Sequence, residues 1–125
     1  MTVLIDSWAW IEYWKGGIHS EAVGSYIQGE EEAVVSTINL AEVYHWILKF
    51  YTKETAEQKR AAIEKRCFIV PVDKAIAVEA AKINHDNNLD LADSLILATA
   101  RMSGSLVLTG DSDLKSFKET VSIGQ

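Results

Sequence analysis

Five acidic residues of this chain could bind a metal ion together, although they come from distant segments: Asp6, Glu42, Asp93, Asp111 and Asp113. Helix N-termini would offset only about 0.3 to 1 kcal/mol of repulsion at each carboxylate, which is too little for four or five gathered charges. A divalent cation would relieve this repulsion. Because the set offers only oxygen ligands, without Cys or His, it favours Mg2+ or Mn2+ over zinc.

Asp93 is the least expected of these acids, because its segment is otherwise suited to a hydrophobic core. Residues 95–98 are Leu, Ile, Leu and Ala, and no basic residue lies within one helical turn of Asp93. A buried carboxylate costs several kcal/mol unless a partner stabilises it. Asp90 or Asp93 could instead cap the start of this helix, and a cap at Asp90 would leave Asp93 free for another role.

The elements that must position these acids follow from the alternation of apolar runs and turn signals. The predicted strands are residues 2–5, 33–36, 68–72, 106–109 and 120–123. The predicted helices are residues 8–15, 20–28, 40–50, 55–66 and 74–84, the helix of Asp93 ending at Gly104, and a short helix at 112–117. This order predicts an α/β fold, a three-layer α/β/α sandwich around a central, mostly parallel twisted sheet of four to five strands. Residues 1–125 are expected to form a single domain.

Residues that cap helices are predicted at several of these boundaries. Thr37 or Asn39 would cap the helix at 40–50, and Thr55 with Gln58 has the spacing of a capping box. Ser112 would cap the short helix at 112–117. These signals fix where each helix begins, and therefore where the neighbouring acids lie.

The predicted sheet gathers the acids at one edge. In an open parallel sheet the functional crevice lies outside the carboxyl ends of the strands, where helix N-termini also meet. Any one of the acids could be a turn or cap residue. Their joint placement instead predicts one acidic site, with Asp6 after the first strand, Glu42 and Asp93 in the first turns of two helices, and Asp111 with Asp113 after the fourth strand.

Composition and charge exclude several other classes of protein. The net charge of -6 and pI near 5.0 argue against a broad basic surface for nucleic acid, although acids gathered around cations are compatible with a nuclease. The lone Cys67 excludes a disulfide within the chain and a Cys-rich zinc site. Without a basic leader or an apolar run near the roughly 20 residues needed to span a bilayer, we expect no membrane association and a cytoplasmic location.

The sequence also lacks the motifs of the common hydrolases and nucleotide-binding proteins. It contains no His-x-x-x-His pair, no Gly-x-Ser-x-Gly elbow and no glycine-rich phosphate loop. Residues 49–66 hold half of the basic residues, but Glu residues are interleaved with them. This pattern favours a solvated helix face over a phosphate-binding face.

Four motifs that contain the acids follow one another along the chain. They are Val3-Leu4-Ile5-Asp6-Ser7, Asn39-Leu40-Ala41-Glu42-Val43, Leu91-Ala92-Asp93-Ser94-Leu95-Ile96 and Leu108-Thr109-Gly110-Asp111-Ser112-Asp113-Leu114. Each motif is weak alone, but the four together at these intervals are fairly specific. They resemble the motifs of a PIN domain, and more closely those of the small toxin ribonucleases of VapBC-type toxin-antitoxin pairs, and the resemblance covers nearly the whole chain.

The resemblance implies a magnesium- or manganese-dependent ribonuclease that hydrolyses RNA phosphodiester bonds. Catalytic and metal-binding roles would fall on Asp6, Glu42, Asp93 and Asp111, with Asp113 as a further metal ligand. Many relatives end the last motif in Asp-Phe, whereas this chain has Asp113-Leu114, so the motif leaves open which aspartate of the pair lies closer to the metal. One or two ions would hold the scissile phosphate and activate a water, and Glu42 or Asp111 could orient that water.

The resemblance also implies supporting residues and partners. Ser7 and Thr109 would position metal ligands through hydrogen bonds, and Lys49, Lys53 or Arg101 would contact phosphate. The expected partners are a second copy of the chain and a VapB-like antitoxin, whose helix and basic side chain would occupy the acidic groove. The many aromatic residues of the early helices favour such an interface.

Three alternatives remain open. The first two are a PIN-like nuclease of RNA processing and a non-catalytic PIN-like binding module. The third, a phosphoacceptor receiver domain, needs paired acids after the first strand and an Asp near mid-chain. Asp6-Ser7-Trp8 lacks the pair, and residues 52–66 contain no Asp.

Overall fold

The computed structural model describes residues 1–124, which form five strands and six helices. The strands are β1 (Thr2–Ile5), β2 (Glu32–Ser36), β3 (Phe68–Val70), β4 (Leu106–Thr109) and β5 (Thr120–Ser122). The helices are α1 (Ser7–Lys15), α2 (Ser20–Ile27), α3 (Thr37–Phe50), α4 (Lys53–Arg66), α5 (Lys74–Asn87) and α6 (Leu91–Ser103). None of these helices combines the length and the apolar character needed to cross a bilayer.

The five strands form one parallel sheet in the order β3-β2-β1-β4-β5. β1 is central, and Leu4 lies between Val34 of β2 and Val107 of β4. Because the strands are parallel, the carboxyl ends of β2, β1 and β4 meet at the same edge of the sheet. The predicted α/β fold with a mostly parallel sheet is confirmed.

Helices cover both faces of the sheet, as all-parallel sheets require. On β1, Val3 and Ile5 point into a core cluster that also contains side chains of α1, α2, α3 and α4. Leu4 points the other way, into a second cluster formed with α5 and α6. The period-two alternation of a strand thus divides the core into two parts, and the predicted three-layer α/β/α arrangement is confirmed.

Helix α3 begins earlier than the sequence predicts. Ser36 is its N-cap, and its hydroxyl accepts a hydrogen bond from the backbone N–H of Ile38 at 3.0 Å. The proposed caps Thr37 and Asn39 therefore lie inside the helix, and the prediction was wrong by one position or more. Asn39 instead completes a capping box, because its Oδ1 accepts from the backbone N–H of Ser36 at 2.9 Å.

Helix α4 also begins earlier, and α5 continues beyond its predicted end. The hydroxyl of Thr52 accepts from the backbone N–H of Thr55 at 3.1 Å, so the expected capping box of Thr55 and Gln58 is wrong. Ala56, in the first turn of α4, is completely buried. At the other boundary, α5 ends only when Asn88 adopts the left-handed conformation, with φ of 52°.

The predicted short helix at 112–117 is wrong. This segment forms consecutive turns, in which the backbone N–H of Leu114 donates to the carbonyl of Asp111 and that of Phe117 donates to the carbonyl of Leu114. Asp111, not Ser112, supplies the side chain that accepts from the backbone here. Leu114 is fully buried, so packing holds a segment that is too short to favour a helix by itself.

Candidate metal centre

The candidate site lies at the carboxyl edge of the three central strands. Asp6 follows β1, and its backbone N–H donates to the carbonyl of Leu108 on β4 at 3.2 Å, which continues the sheet by one residue. The first turns of α3 and α6 contribute Asn39 and Asp93 to the same edge. The topology thus brings together side chains that are distant in sequence.

Asp6 is the most buried acid of the site, with 4% of its surface exposed. Its Oδ2 accepts from the hydroxyl of Thr109 at 2.7 Å, and its Oδ1 accepts from Nδ2 of Asn39 at 3.1 Å. Burial raises the pKa of Asp6 to about 6, the hydrogen bond from Thr109 opposes this rise, and the charge of Glu42 adds to it. The two hydrogen bonds thus hold both oxygens in fixed positions, and burial makes ionisation of the carboxyl group less favourable.

Asn39 connects Asp6 to Glu42. Its Nδ2 also approaches the hydroxyl oxygen of Ser7 at 3.0 Å as a donor, and that hydroxyl donates to Oε1 of Glu42 at 2.6 Å. Asn39 is almost fully buried, whereas Glu42 is exposed. Because α3 begins at Thr37, Glu42 lies in its second turn, and the prediction of a first-turn position was wrong. Sequence reasoning missed Asn39 as a site residue, and the available signal was a polar residue three positions before Glu42.

Asp93 lies in the first turn of α6, and Asp90 is the N-cap of that helix. Oδ1 of Asp90 accepts from the backbone N–H of Asp93 at 2.8 Å. The cap is thus Asp90, which leaves the Asp93 carboxylate free to face the site. Burial, followed by the neighbouring charges of Asp111, Asp90, Asp6 and Glu42 in that order, raises the pKa of Asp93 to about 7.

Asp111 and Asp113 enter the site from the loop after β4. The hydroxyl of Thr109 accepts from the backbone N–H of Asp111 at 3.0 Å, and Oδ1 of Asp111 accepts from the backbone N–H of Asp113 at 2.9 Å. Between them and β4, Gly110 lies against the indole of Trp8, and a Cβ at this position would overlap the ring. A side chain at position 110 would therefore require the indole of Trp8 to move.

Three of the five predicted acids form one tight group. Carboxylate oxygens of Asp93, Asp111 and Asp113 all lie within 4.8 Å of one another. Asp6 and Glu42 lie close enough to raise the pKa of Asp93 and are joined by hydrogen bonds through Asn39 and Ser7. No ion pair among residues 1–124 involves any of these acids.

This arrangement fits a hard divalent cation. The ligands are carboxylate oxygens, and two of the acids, Asp6 and Asp93, have raised pKa values. Zinc is disfavoured because none of the acids is accompanied by a Cys or His in the group. The cluster includes both Asp111 and Asp113, so either aspartate of the last motif can contact a metal.

The basic residues expected to contact phosphate are not all near this site. Arg101 lies in the last turn of α6, whereas Asp93 lies in the first turn, and Arg101 pairs with Glu119 at 3.1 Å. Lys49 lies in the last turn of α3 with its ammonium 5.6 Å from the ring of Phe50. Neither residue belongs to the acidic group, and the phosphate contacts of Lys49, Lys53 and Arg101 stay predictions.

Comparison with known families identifies the fold. The model of the PIN domain family matches residues 3–120. The chain belongs to the PIN domain family. No curated protein is significantly similar to this PIN domain in sequence.

Several solved structures share the fold at low sequence identity. A toxin-antitoxin complex from Klebsiella pneumoniae has a TM-score of 0.80 at 19% identity, with 96% of each chain covered. VapBC2 from Rickettsia felis, bound to a DNA fragment from its promoter, has a TM-score of 0.76 at 15% identity, with 98% of each chain covered. VapC20 from Mycobacterium tuberculosis, a toxin that cleaves the sarcin-ricin loop, has a TM-score of 0.74 at 16% identity, covering 91% of this PIN domain and 93% of that chain.

Proposed function

We propose that this PIN domain, residues 1–125, is a metal-dependent ribonuclease and the toxin of a toxin-antitoxin pair. The observation that carries the proposal is the group of Asp93, Asp111 and Asp113, whose carboxylate oxygens lie within 4.8 Å of one another. Asp6 and Glu42 stand beside it, fixed by hydrogen bonds. The chemistry of this donor set supports Mg2+ or Mn2+.

The five acids would hold the metal, which would supply a Lewis acid and lower the pKa of a bound water. The other side chains of the site act by positioning. Thr109 and Asn39 each fix one oxygen of Asp6, so this carboxylate is already oriented. Ser7 binds Oε1 of Glu42, which leaves Oε2 of Glu42 free to orient the attacking water and accept its proton.

The partners we propose are an RNA substrate, a second copy of the chain and a VapB-like antitoxin. The solved relatives that are toxin-antitoxin complexes support an antitoxin, and the relative that cleaves the sarcin-ricin loop supports RNA as the substrate. At the end of α3, Phe50 and Tyr51 are 60% and 55% exposed, which supports a protein interface there. The action of such a toxin on RNA would be cytoplasmic.

The deciding experiment measures cleavage of a structured RNA by the purified protein with Mg2+ or Mn2+, with EDTA, and with Asp93→Asn. We expect cleavage only with the metal, and a loss of at least about a hundredfold in the variant, as for the loss of a catalytic or metal-binding group. Asp86→Asn, an equivalent change at an exposed position of α5, is the matched control and should retain activity. Cleavage as fast in EDTA, and as fast by Asp93→Asn, as by the wild type with metal would reject the proposal.

A further measurement separates the toxin from its two PIN-like alternatives. Expression of the wild type should arrest bacterial growth, whereas expression of Asp93→Asn should not. A nuclease of RNA processing would cleave RNA in vitro without arresting growth. A binding module would bind RNA and Mg2+ in titrations but cleave no RNA in either test.

A further inference from the structure

A second feature of this molecule is a groove that begins at the candidate metal centre and runs away from it. The groove has a volume of about 610 Å³ and lies between the α5–α6 junction and the loop after β4. Its lining includes Asn87, Asn88, Asp90, Asp113, Ser116 and Phe117. Asp113 belongs to both the groove and the acidic group, so whatever occupies the groove adjoins the proposed scissile phosphate.

The charge of the groove disfavours the phosphate backbone as its occupant away from the metal centre. No basic side chain lines it, and the carboxylates of Asp90 and Asp113 stand on its walls. A phosphate would be repelled there unless a cation lay beside it. The parts of a nucleotide that carry no charge are the sugar and the base. The volume of the groove is within the range of about 300–1,000 Å³ typical of small-molecule sites.

The polar groups of the groove suit the hydrogen-bonding edge of a base. Asn88 and Ser116 are exposed, and neither side chain makes a hydrogen bond within residues 1–124. An amide offers both donors and an acceptor, and a hydroxyl offers one donor and acceptor sites. Phe117 is half-buried and adds an aromatic surface on which a base could stack.

We infer that this groove is a subsite for an unpaired base next to the cleaved phosphate, with a preference for bases that carry an amino group. The inference rests on the proposed ribonuclease function. Carboxylates accept hydrogen bonds from the amino group of cytosine. Uracil has a carbonyl oxygen in the place of that amino group, so Asp90 would face an acceptor and repel it.

Asp90 is the residue that can be tested without disturbing the fold. Asp90→Asn keeps the side-chain oxygen that caps α6, but it removes the charge and adds an N–H donor. That N–H would donate to the uracil carbonyl, so the variant should lose the preference for cytosine. Asn88→Gly is a second probe, because glycine tolerates the φ of 52° and lacks the amide.

The test is an NMR titration of the protein with cytidine and with uridine, in Mg2+, following the amide signals of the groove. The two nucleosides have the same ring and lack phosphate, so binding needs no cleavage. We expect cytidine to bind about fivefold more tightly than uridine, as one hydrogen bond permits. In Asp90→Asn the ratio of the affinities for cytidine and uridine should fall to about one. Asn88→Gly should weaken the binding of both nucleosides. Asp86→Asn, outside the groove, should match the wild type.

The outcomes distinguish this subsite from the proposed function. Equal affinity for cytidine and uridine, no binding of either, or shifts confined to other surfaces would overturn the subsite, even in a protein that cleaves RNA. A cytidine preference that disappears in Asp90→Asn would support the subsite even if no RNA were cleaved. In an active enzyme, cleavage next to C should likewise exceed cleavage next to U, and Asp90→Asn should equalise them.

Discussion

At the scale of single residues, Asn39 determines how the buried part of the site is held. Its Nδ2 lies 3.1 Å from Asp6 and 3.0 Å from Ser7, and its Oδ1 accepts from the backbone of Ser36. Asn39→Asp keeps the shape and the acceptor but replaces the donor with a negative charge against Asp6. We expect the free energy of unfolding at pH 7 to fall by about 3 kcal/mol, because a buried carboxylate loses a partner and gains a like charge.

Chemical denaturation of Asn39→Asp beside Gln58→Glu measures this effect. Gln58 is exposed on α4, and the same amide-to-carboxylate change there should alter the free energy of unfolding by less than about 0.5 kcal/mol. If Asn39→Asp were as stable as Gln58→Glu at pH 7, the amide would not hold Asp6 in the way that its contacts indicate.

The raised pKa of Asp6 predicts a stability that falls as pH rises. The pKa of Asp6 is about 6 in the folded protein, against an ordinary value of 3.8, so the folded state binds the proton more tightly. The free energy of unfolding is therefore highest below pH 4 for this group and decreases through pH 6, by up to about 3 kcal/mol. Asp93, with a pKa of about 7, extends the decrease toward pH 8.

Denaturation in EDTA between pH 4.5 and pH 8 measures this slope. Asp6→Asn removes the titrating group while keeping a polar side chain between Thr109 and Asn39. We expect the variant to have a shallower slope and to exceed the wild type in stability at pH 8. Identical slopes in both proteins would mean that Asp6 ionises without cost in the folded state.

The five acids were predictable from the sequence, whereas Asn39 was not, and the reason is physical. Four of the acids follow a strand or lie in the first turn of a helix, and parallel strands bring those positions to one edge whatever the details of packing. Glu42 lies one turn further along, in the second turn of α3. Asn39 acts on Asp6 and Ser7, which are 33 and 32 residues away in the sequence. Only the tertiary packing of α3 determines those contacts. The local sequence around Asn39 indicates a helix cap and gives no sign of contacts with Asp6 or Ser7.

At the scale of secondary structure elements, α6 carries Asp93 on a helix start that Asp90 stabilises. Asp90→Ala removes the acceptor that receives the N–H of Asp93, and we expect a loss of about 1 kcal/mol in the free energy of unfolding. Asp90→Asn should keep nearly all of the stability, since asparagine caps as well as aspartate. Thermal and chemical denaturation of both variants, with Asp86→Ala on α5 as control, would check this. Equal losses in Asp90→Ala and Asp86→Ala would contradict the cap.

The boundaries of elements were the least predictable level, because several residues carried equivalent signals. Thr52 and Thr55 both precede helix-forming sequence, and in the structure Thr52 caps the helix by accepting from the backbone N–H of Thr55. Residues 112–117 have a cap signal and a leucine, yet tertiary packing of Leu114 holds them as turns. A prediction from the local sequence does not include such tertiary packing.

At the scale of the whole molecule, the alternation of strands and helices was enough to predict the parallel sheet and its two covered faces. The spatial order β3-β2-β1-β4-β5 was not predicted, because each crossover can place the next strand on either side of its neighbour. That order puts β1 at the centre, between β2 and β4. It is what allows acids from the start and the end of the chain to share one site.

The same gathering of charge predicts that divalent metal stabilises the molecule, and does so more strongly at high pH. Mg2+ at about a hundredfold above its Kd should add roughly 2.7 kcal/mol to the free energy of unfolding. Because ligands must be deprotonated, the increment should be large at pH 8 and small at pH 5, where Asp6 and Asp93 are mostly protonated. Thermal denaturation with MgCl2, against NaCl at equal ionic strength, measures the increment. Asp93→Asn should lose most of it, and an equal rise in NaCl would attribute the effect to screening of the acids rather than to a bound ion.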